Sequence, residues 1–126
     1  MPTTSTVKKY TAYIQQQDCF FGGATVAETI LFAAMCKLPG STAADVADKQ
    51  AKVLEVINHL NLGRCSDTYM GNRLIRGVSG GEMKRTAVAC ALLSAPQCMF
   101  LDEPTSGLDS AMAHEVIVNL HALQVP

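Results

Sequence analysis

The chain has 126 residues, 48% of them hydrophobic and 17% charged, with a net charge of −1 at pH 7. That length buries one modest core, and the near-neutral charge argues against a nucleic-acid partner or a polybasic membrane surface. No apolar run approaches the roughly 20 residues of a bilayer span.

The first ten residues, MPTTSTVKKY, lack the hydrophobic core of a signal peptide, and the chain by itself is expected to be soluble. Cys19, Cys36, Cys65, Cys90 and Cys98 are an odd count with no C-x-x-C pair, which reads as free thiols in a reducing cytosol. His59, His114 and His121 have no ligand-like spacing to one another or to those cysteines.

Taken in order, residues 1–9 are polar and are expected to fray. Tyr10 to Ile14 is rich in aromatic and β-branched residues and predicts a strand. It runs into a polar break, Gln15-Gln16-Gln17-Asp18, and then a turn at Phe20 to Gly23 with two aromatics. Thr25 with Glu28 three residues on is a capping-box pattern, predicting a helix to about Lys37 before the break at Pro39-Gly40. Thr42 with Asp45 opens a longer helix whose Val53, Val56, Ile57 and Leu60 share one face, with Gly63 as its expected C-cap. Residues 64–77 predict a polar loop with a helical turn or two. Its Arg64, Arg73 and Arg76, with Lys84 and Arg85, are expected to make the region locally basic and to favour approach of a polyanion.

Two pieces of phosphate chemistry then follow about twenty residues apart. Ser79-Gly80-Gly81-Glu82 is a third capping box, opening a helix from about Gly80 to Leu93 with Met83, Ala87, Val88, Ala91 and Leu92 inward. Its two glycines permit close approach of a ligand to a helix start, which carries roughly half a positive charge and suits a phosphate. Cys98 to Leu101, between Pro96 and Pro104, predicts a buried parallel strand ending in Asp102 and Glu103. Ligands of open α/β sheets bind at such strand ends. Two adjacent acids there can divide labour, Asp102 holding Mg²⁺ and Glu103 orienting or deprotonating an attacking water. Asp109 or Ser110 starts a last helix with Met112, Val116, Leu120 and Leu123 inward.

In this order and spacing the motifs resemble the nucleotide-binding domain of ABC transporters, most closely the G subfamily (white and pleiotropic-drug-resistance type). VSGGE corresponds to the family signature, MFLDE to its Walker B motif and SGLD, Ser106 to Asp109, to its D-loop. Matching TVAET to the family's T-V-x-E segment makes Gln16 the Q-loop glutamine. The resemblance implies an α/β, P-loop NTPase fold present in part, a helical subdomain plus a few strands of the parallel core sheet. It divides the chain into a core strand and Q-loop (10–19), the helical subdomain (20–78), and the signature helix, Walker B strand, D-loop and following helix (79–126). It further implies ATP and Mg²⁺ as ligands. Glu103 and Gln16 would be catalytic, Asp102 and Gln16 would serve the metal, and Ser79, Gly80, Gly81, Glu82 and Asp109 would serve nucleotide across a head-to-tail dimer with a second such domain.

The chain contains no G-x-x-x-x-G-K-[ST] loop to cradle the β- and γ-phosphates. In the family that loop lies upstream of the Q-loop, and the switch histidine lies downstream; His114 and His121 come too early for it. Met83 stands where this subfamily usually has arginine, and Ala91 where many members have glutamate. The leading expectation is a segment of an ATPase that powers export of a lipid or hydrophobic small molecule, on the cytoplasmic side of a membrane beside a transmembrane domain. The alternative is a non-catalytic half-domain that docks on a complete ABC ATPase. A chromosome-maintenance or DNA-repair ATPase is disfavoured, since the segment from Gln16 to Ser79 holds no long coiled coil. Alone, the chain is expected to be marginal and prone to aggregate.

Overall fold

Two four-residue strands, β1 (Thr11–Ile14) and β2 (Cys98–Leu101), lie side by side and parallel, with Thr11 opposite Cys98 and Ile14 opposite Leu101. The computed structural model that gives this architecture describes Val7 and residues 10–123; the fraying expected of residues 1–9 otherwise lies outside that range. Between the strands come helices α1 (Val26–Lys37), α2 (Ala43–His59) and α3 (Gly80–Leu92), with a short 3₁₀ turn at Gly63–Cys65. Helix α4 (Ser110–Ala122) follows β2. A parallel pair needs a long crossover, and here the three helices supply it.

All three expected capping boxes form. In α1 the Glu28 amide donates to Thr25 Oγ1 at 3.2 Å, and the Thr25 amide donates back to Glu28 Oε2 at 2.9 Å. Thr42 and Asp45 repeat the arrangement at α2. Each such cap contributes about 1 kcal/mol, and it does so within four residues of sequence, without help from packing.

Packing follows from the spacing of apolar positions. Val26, Ile30 and Ala34 lie four apart on one face of α1 and are fully buried. They meet Val53, Val56 and Ile57 of α2, Val88 and Ala89 of α3, and Ile14 of β1 in one continuous cluster. Each large aliphatic buried there stabilises by roughly 1.5–3 kcal/mol. On α3 the expected Val88 and Ala91 are buried, while Met83, Ala87 and Leu92 are half-buried at the margin.

Two expectations are corrected. Helix α2 ends at His59, and Gly63 is not its cap. Leu60 and Leu62 both enter the core, so the chain must reverse between them; Asn61 does this at φ +52°, a left-handed conformation that asparagine tolerates. Strand β2 is not buried on both faces. Met99 and Leu101 pack inward, but Phe100 is 55% exposed beside Tyr13, 62% exposed, and no described residue covers that face.

The cysteines are all unpaired. Burial raises the Cys65 thiol, and pushes Cys90 up to about 11, so little thiolate is present at either near pH 8. Cys19, Cys36 and Cys98 are exposed. Alkylation at pH 8, followed by mass spectrometry, is therefore expected to label these three well before Cys65 and Cys90. Equal labelling of all five would mean that α3 does not pack as described.

Candidate functional site

The parallel register brings the end of β1 beside the end of β2. Ile14 accepts from the Asp102 amide at 3.0 Å, the last bond of the ladder. Past that bond the two chains carry Gln16 and Glu103 toward each other. Gln16 Nε2 donates to Glu103 Oε2 at 2.8 Å and lies 3.4 Å from Ser106 Oγ. The amide is thus oriented with its nitrogen toward the acid, and among the described residues no donor meets its oxygen. Glu103 sits at φ +44°, which is costly for any residue but glycine and often marks a functional position.

Asp102 has a different partner. Its Oδ2 accepts from the Tyr13 hydroxyl at 3.0 Å. Donating to that carboxylate holds the Tyr13 phenol above its ordinary value, so it remains a protonated donor at neutral pH. Sequence reasoning gave Tyr13 no role and named Ser106 only as the first residue of SGLD. Tyr13 reads as one more strand aromatic, and only the register places it near an acid 89 residues away.

The glycine turn is built locally. The Glu82 amide donates to Ser79 Oγ at 3.2 Å, and Glu82 Oε2 accepts from the Ser79 amide at 2.9 Å. Glu82 is thereby consumed in capping. Ser79 Oγ keeps its own proton to donate, and among the described residues no acceptor meets the amides of Gly80 and Gly81. The segment from Ser106 to Asp109 closes over this turn. A Cβ on Gly80 would stand 2.8 Å from Leu108 Cδ2, and one on Gly81 3.4 Å from Met112 Cβ. Asp109 caps α4, accepting from the Met112 amide at 2.8 Å.

The expected basic surface is not formed by Lys84 and Arg85, which are only 4% and 6% exposed. Arg85 donates to the carbonyls of Leu60 and Asn61 at 3.0 and 3.2 Å and pairs with Glu115 at 3.0 Å. Lys84 turns inward to Asp18 at 2.9 Å. Lys84 thus meets a buried acid, as a desolvated cation requires, while the acid that pairs with Arg85, Glu115, is 52% exposed, and among the described residues the buried Arg85 Nε has no hydrogen-bond partner. Arg64, Arg73 and Arg76 remain exposed.

These groups fit a magnesium nucleotide. Unmet helix-start amides and a free hydroxyl suit phosphate oxygens, and Asp102, Glu103 and the Gln16 amide oxygen are the hard oxygen donors that Mg²⁺ prefers. No cluster of three His, Cys, Asp or Glu side chains exists among the described residues.

The sequence model of the ABC transporter family matches residues 2–106. The chain is 44% identical over 121 residues to ABC transporter G family member STR2 of Petunia hybrida, covering 96% of this chain and 16% of that protein. It is 39% identical over 122 residues to ABC transporter G family member 14 of Arabidopsis thaliana, covering 97% and 18%. With ABC transporter G family member STR of Medicago truncatula it shares 44% over 115 residues, 91% of this chain and 14% of that protein. The chain spans about a sixth of the length of these relatives. The parallel strand pair, the crossover helices and a match over most of the length agree: the chain belongs to the ABC transporter family, an α/β fold of the P-loop NTPase class, and its relatives are G family members.

Proposed function

We propose that these residues are a segment of the ATP-hydrolysing domain of a transporter that exports a lipid or hydrophobic small molecule. The observation that carries this reading is the 2.8 Å contact of Gln16 with Glu103 at the ends of two parallel strands. One side chain holds the other where a water molecule can be bound between an amide oxygen and a carboxylate. Glu103 then accepts the proton of that water as general base, and Gln16 orients it. Asp102, steadied by Tyr13, serves the metal together with the Gln16 amide oxygen. Mg²⁺ held there would supply positive charge to the phosphate oxygens.

The Ser79 hydroxyl and the amides of Gly80 and Gly81 receive the γ-phosphate of a nucleotide held by a second such domain, docked head to tail. Glu82 keeps that turn in shape, and Asp109 faces the same interface. The division into a strand with its Q-loop (10–19), a helical subdomain (20–78) and the signature-to-D-loop segment (79–126) belongs to this reading. So does the phosphate loop that G-x-x-x-x-G-K-[ST] would supply, a pattern these residues do not contain. Among the described residues no helix is long and apolar enough to cross a membrane. In this reading, as the ABC transporter family match supports, a transmembrane partner domain forms the membrane passage, with this segment on its cytoplasmic side.

The test is Mg²⁺-dependent ATP hydrolysis by the purified full-length polypeptide carrying this segment. Ser79→Arg, which fills the glycine turn with a bulky cation, is expected to lower turnover by more than about tenfold by displacing the phosphate contacts. Wild-type protein without hydrolysis, or a Ser79→Arg variant as active as wild type, would overturn the reading.

A further inference from the structure

We propose that Lys84 is the positioning residue for Gln16, tying the helix that carries the glycine turn to the Gln16–Glu103 pair. The proposal rests on the ATPase reading for its kinetic consequence, and on geometry alone for the positioning itself.

Lys84 lies in the second turn of α3, its side chain 5% exposed. An ammonium has three N–H donors, and here three oxygens meet it. Asp18 Oδ2 is at 2.9 Å, and the carbonyls of Gln15 and Gln16 are each at 3.0 Å. Asp18 is itself only 10% exposed, so the charge is matched as well as the hydrogen bonds. A buried cation left without either would be strongly disfavoured, which makes the arrangement a specific one.

The two carbonyls belong to the peptide planes on either side of the Gln16 Cα. Holding both fixes the direction in which the Gln16 side chain leaves the backbone. That matters because residues 15–18 lie past the last residue of β1, where the ladder no longer sets the backbone. The side chain so directed reaches Glu103 at 2.8 Å. Lys84 is also one helical turn below Gly80, whose amide stands unmet at the start of α3. The phosphate-facing end of α3 and the anchor of Gln16 are thus parts of one rigid element. A shift of that helix when its turn engages a phosphate is delivered to Gln16 through three charge-assisted contacts.

Four variants of the full-length polypeptide decide this: Lys84→Met, Lys84→Arg, Gln16→Ala, and Lys84→Met combined with Gln16→Ala. Methionine keeps the apolar stem and removes the ammonium. Lys84→Met is expected to lower kcat for ATP by about 10–100-fold, the scale of a small misplacement of a catalytic group, with KM changed by less than about threefold. In the Gln16→Ala background the same change is expected to have no further effect, because the two act in series. Lys84→Arg, which keeps the charge and donors, is expected to recover part of the loss. An unchanged kcat in Lys84→Met, or a loss that multiplies with that of Gln16→Ala, would overturn the proposal.

A second measurement does not depend on turnover. Amide hydrogen exchange is expected to rise in residues 15–18 of Lys84→Met while α1 and α2 stay protected. A uniform rise, or none in 15–18, overturns the proposal. If wild type hydrolyses no ATP, the functional reading fails while the exchange result still decides the role of Lys84. Should Lys84→Met fail to fold with Asp18 unpaired, Lys84→Met with Asp18→Asn removes both charges and takes its place.

Discussion

Replacing Glu103 by glutamine is expected to lower ATP turnover of the full-length polypeptide by roughly 10²–10⁴-fold, the usual contribution of a positioned general base. The fold and nucleotide binding are expected to persist. Glutamine has the same shape, and its carbonyl oxygen still accepts from Gln16 Nε2, now 2.8 Å from Glu103 Oε2. What disappears is the basic oxygen on the other side of the carboxylate. The backbone there is held at φ +44° by a turn in which the Ser106 amide donates to the Glu103 carbonyl at 3.0 Å. A non-glycine residue in that conformation costs about 1–2 kcal/mol. Glu103→Gly should accordingly abolish turnover without lowering stability, a combination that a merely structural glutamate would not give. Single-turnover hydrolysis and a thermal melt on each variant check both statements. More than a tenth of wild-type turnover in Glu103→Gln would remove Glu103 from the role of base.

The largest expected loss of stability comes from Gly77→Ala. A Cβ at Gly77 would lie 2.1 Å from the Met70 carbonyl oxygen and 2.4 Å from Gly71 Cα, and backbone cannot swing aside as a side chain can. The loop is tied on both flanks. The Gly71 amide donates to the Gly22 carbonyl at 3.1 Å, and the Val78 amide to that of Tyr69 at 3.0 Å. Within it the Asn72 side-chain oxygen accepts from the amides of Leu74 and Ile75. Met70, next to the clash, is fully buried. The cost is expected at about 3 kcal/mol, the upper end for overpacking. Gly63→Ala is the control, because nothing lies within 4 Å of its added Cβ. It should change stability by less than about 0.5 kcal/mol. Denaturant titration of both variants reads the contrast; equal midpoints would mean that the loop does not close on Gly77.

Gly77 also shows how far local sequence carries. The glycines at 71 and 77 read as ordinary loop residues, and their backbones meet only because the chain folds back between them. By contrast, the three capping boxes, the helix starts at Val26, Ala43 and Gly80, and the inward face of α2 were legible from spacing. Each is an interaction among residues three or four apart, and it forms whatever the rest of the chain does. The signature, Walker B and D-loop strings were legible for the same reason, being contiguous. They were enough to place the chain in its family.

Distance in sequence decided the remainder. Gln16 meets Glu103 across 87 positions, and Tyr13 meets Asp102 across 89, only because β1 and β2 pair in one parallel register. Lysine and arginine after SGGE read as surface charge, since a charged residue is mostly exposed unless paired. Their partners, Asp18 with two carbonyls, and Glu115 with two others, come from separate parts of the chain, so nothing near Lys84 or Arg85 announces their burial. Local chemistry set the caps, the helices and the motifs. The tertiary structure decided which acid each polar side chain faces and which cations are removed from water, because both depend on groups that only packing brings within 3 Å.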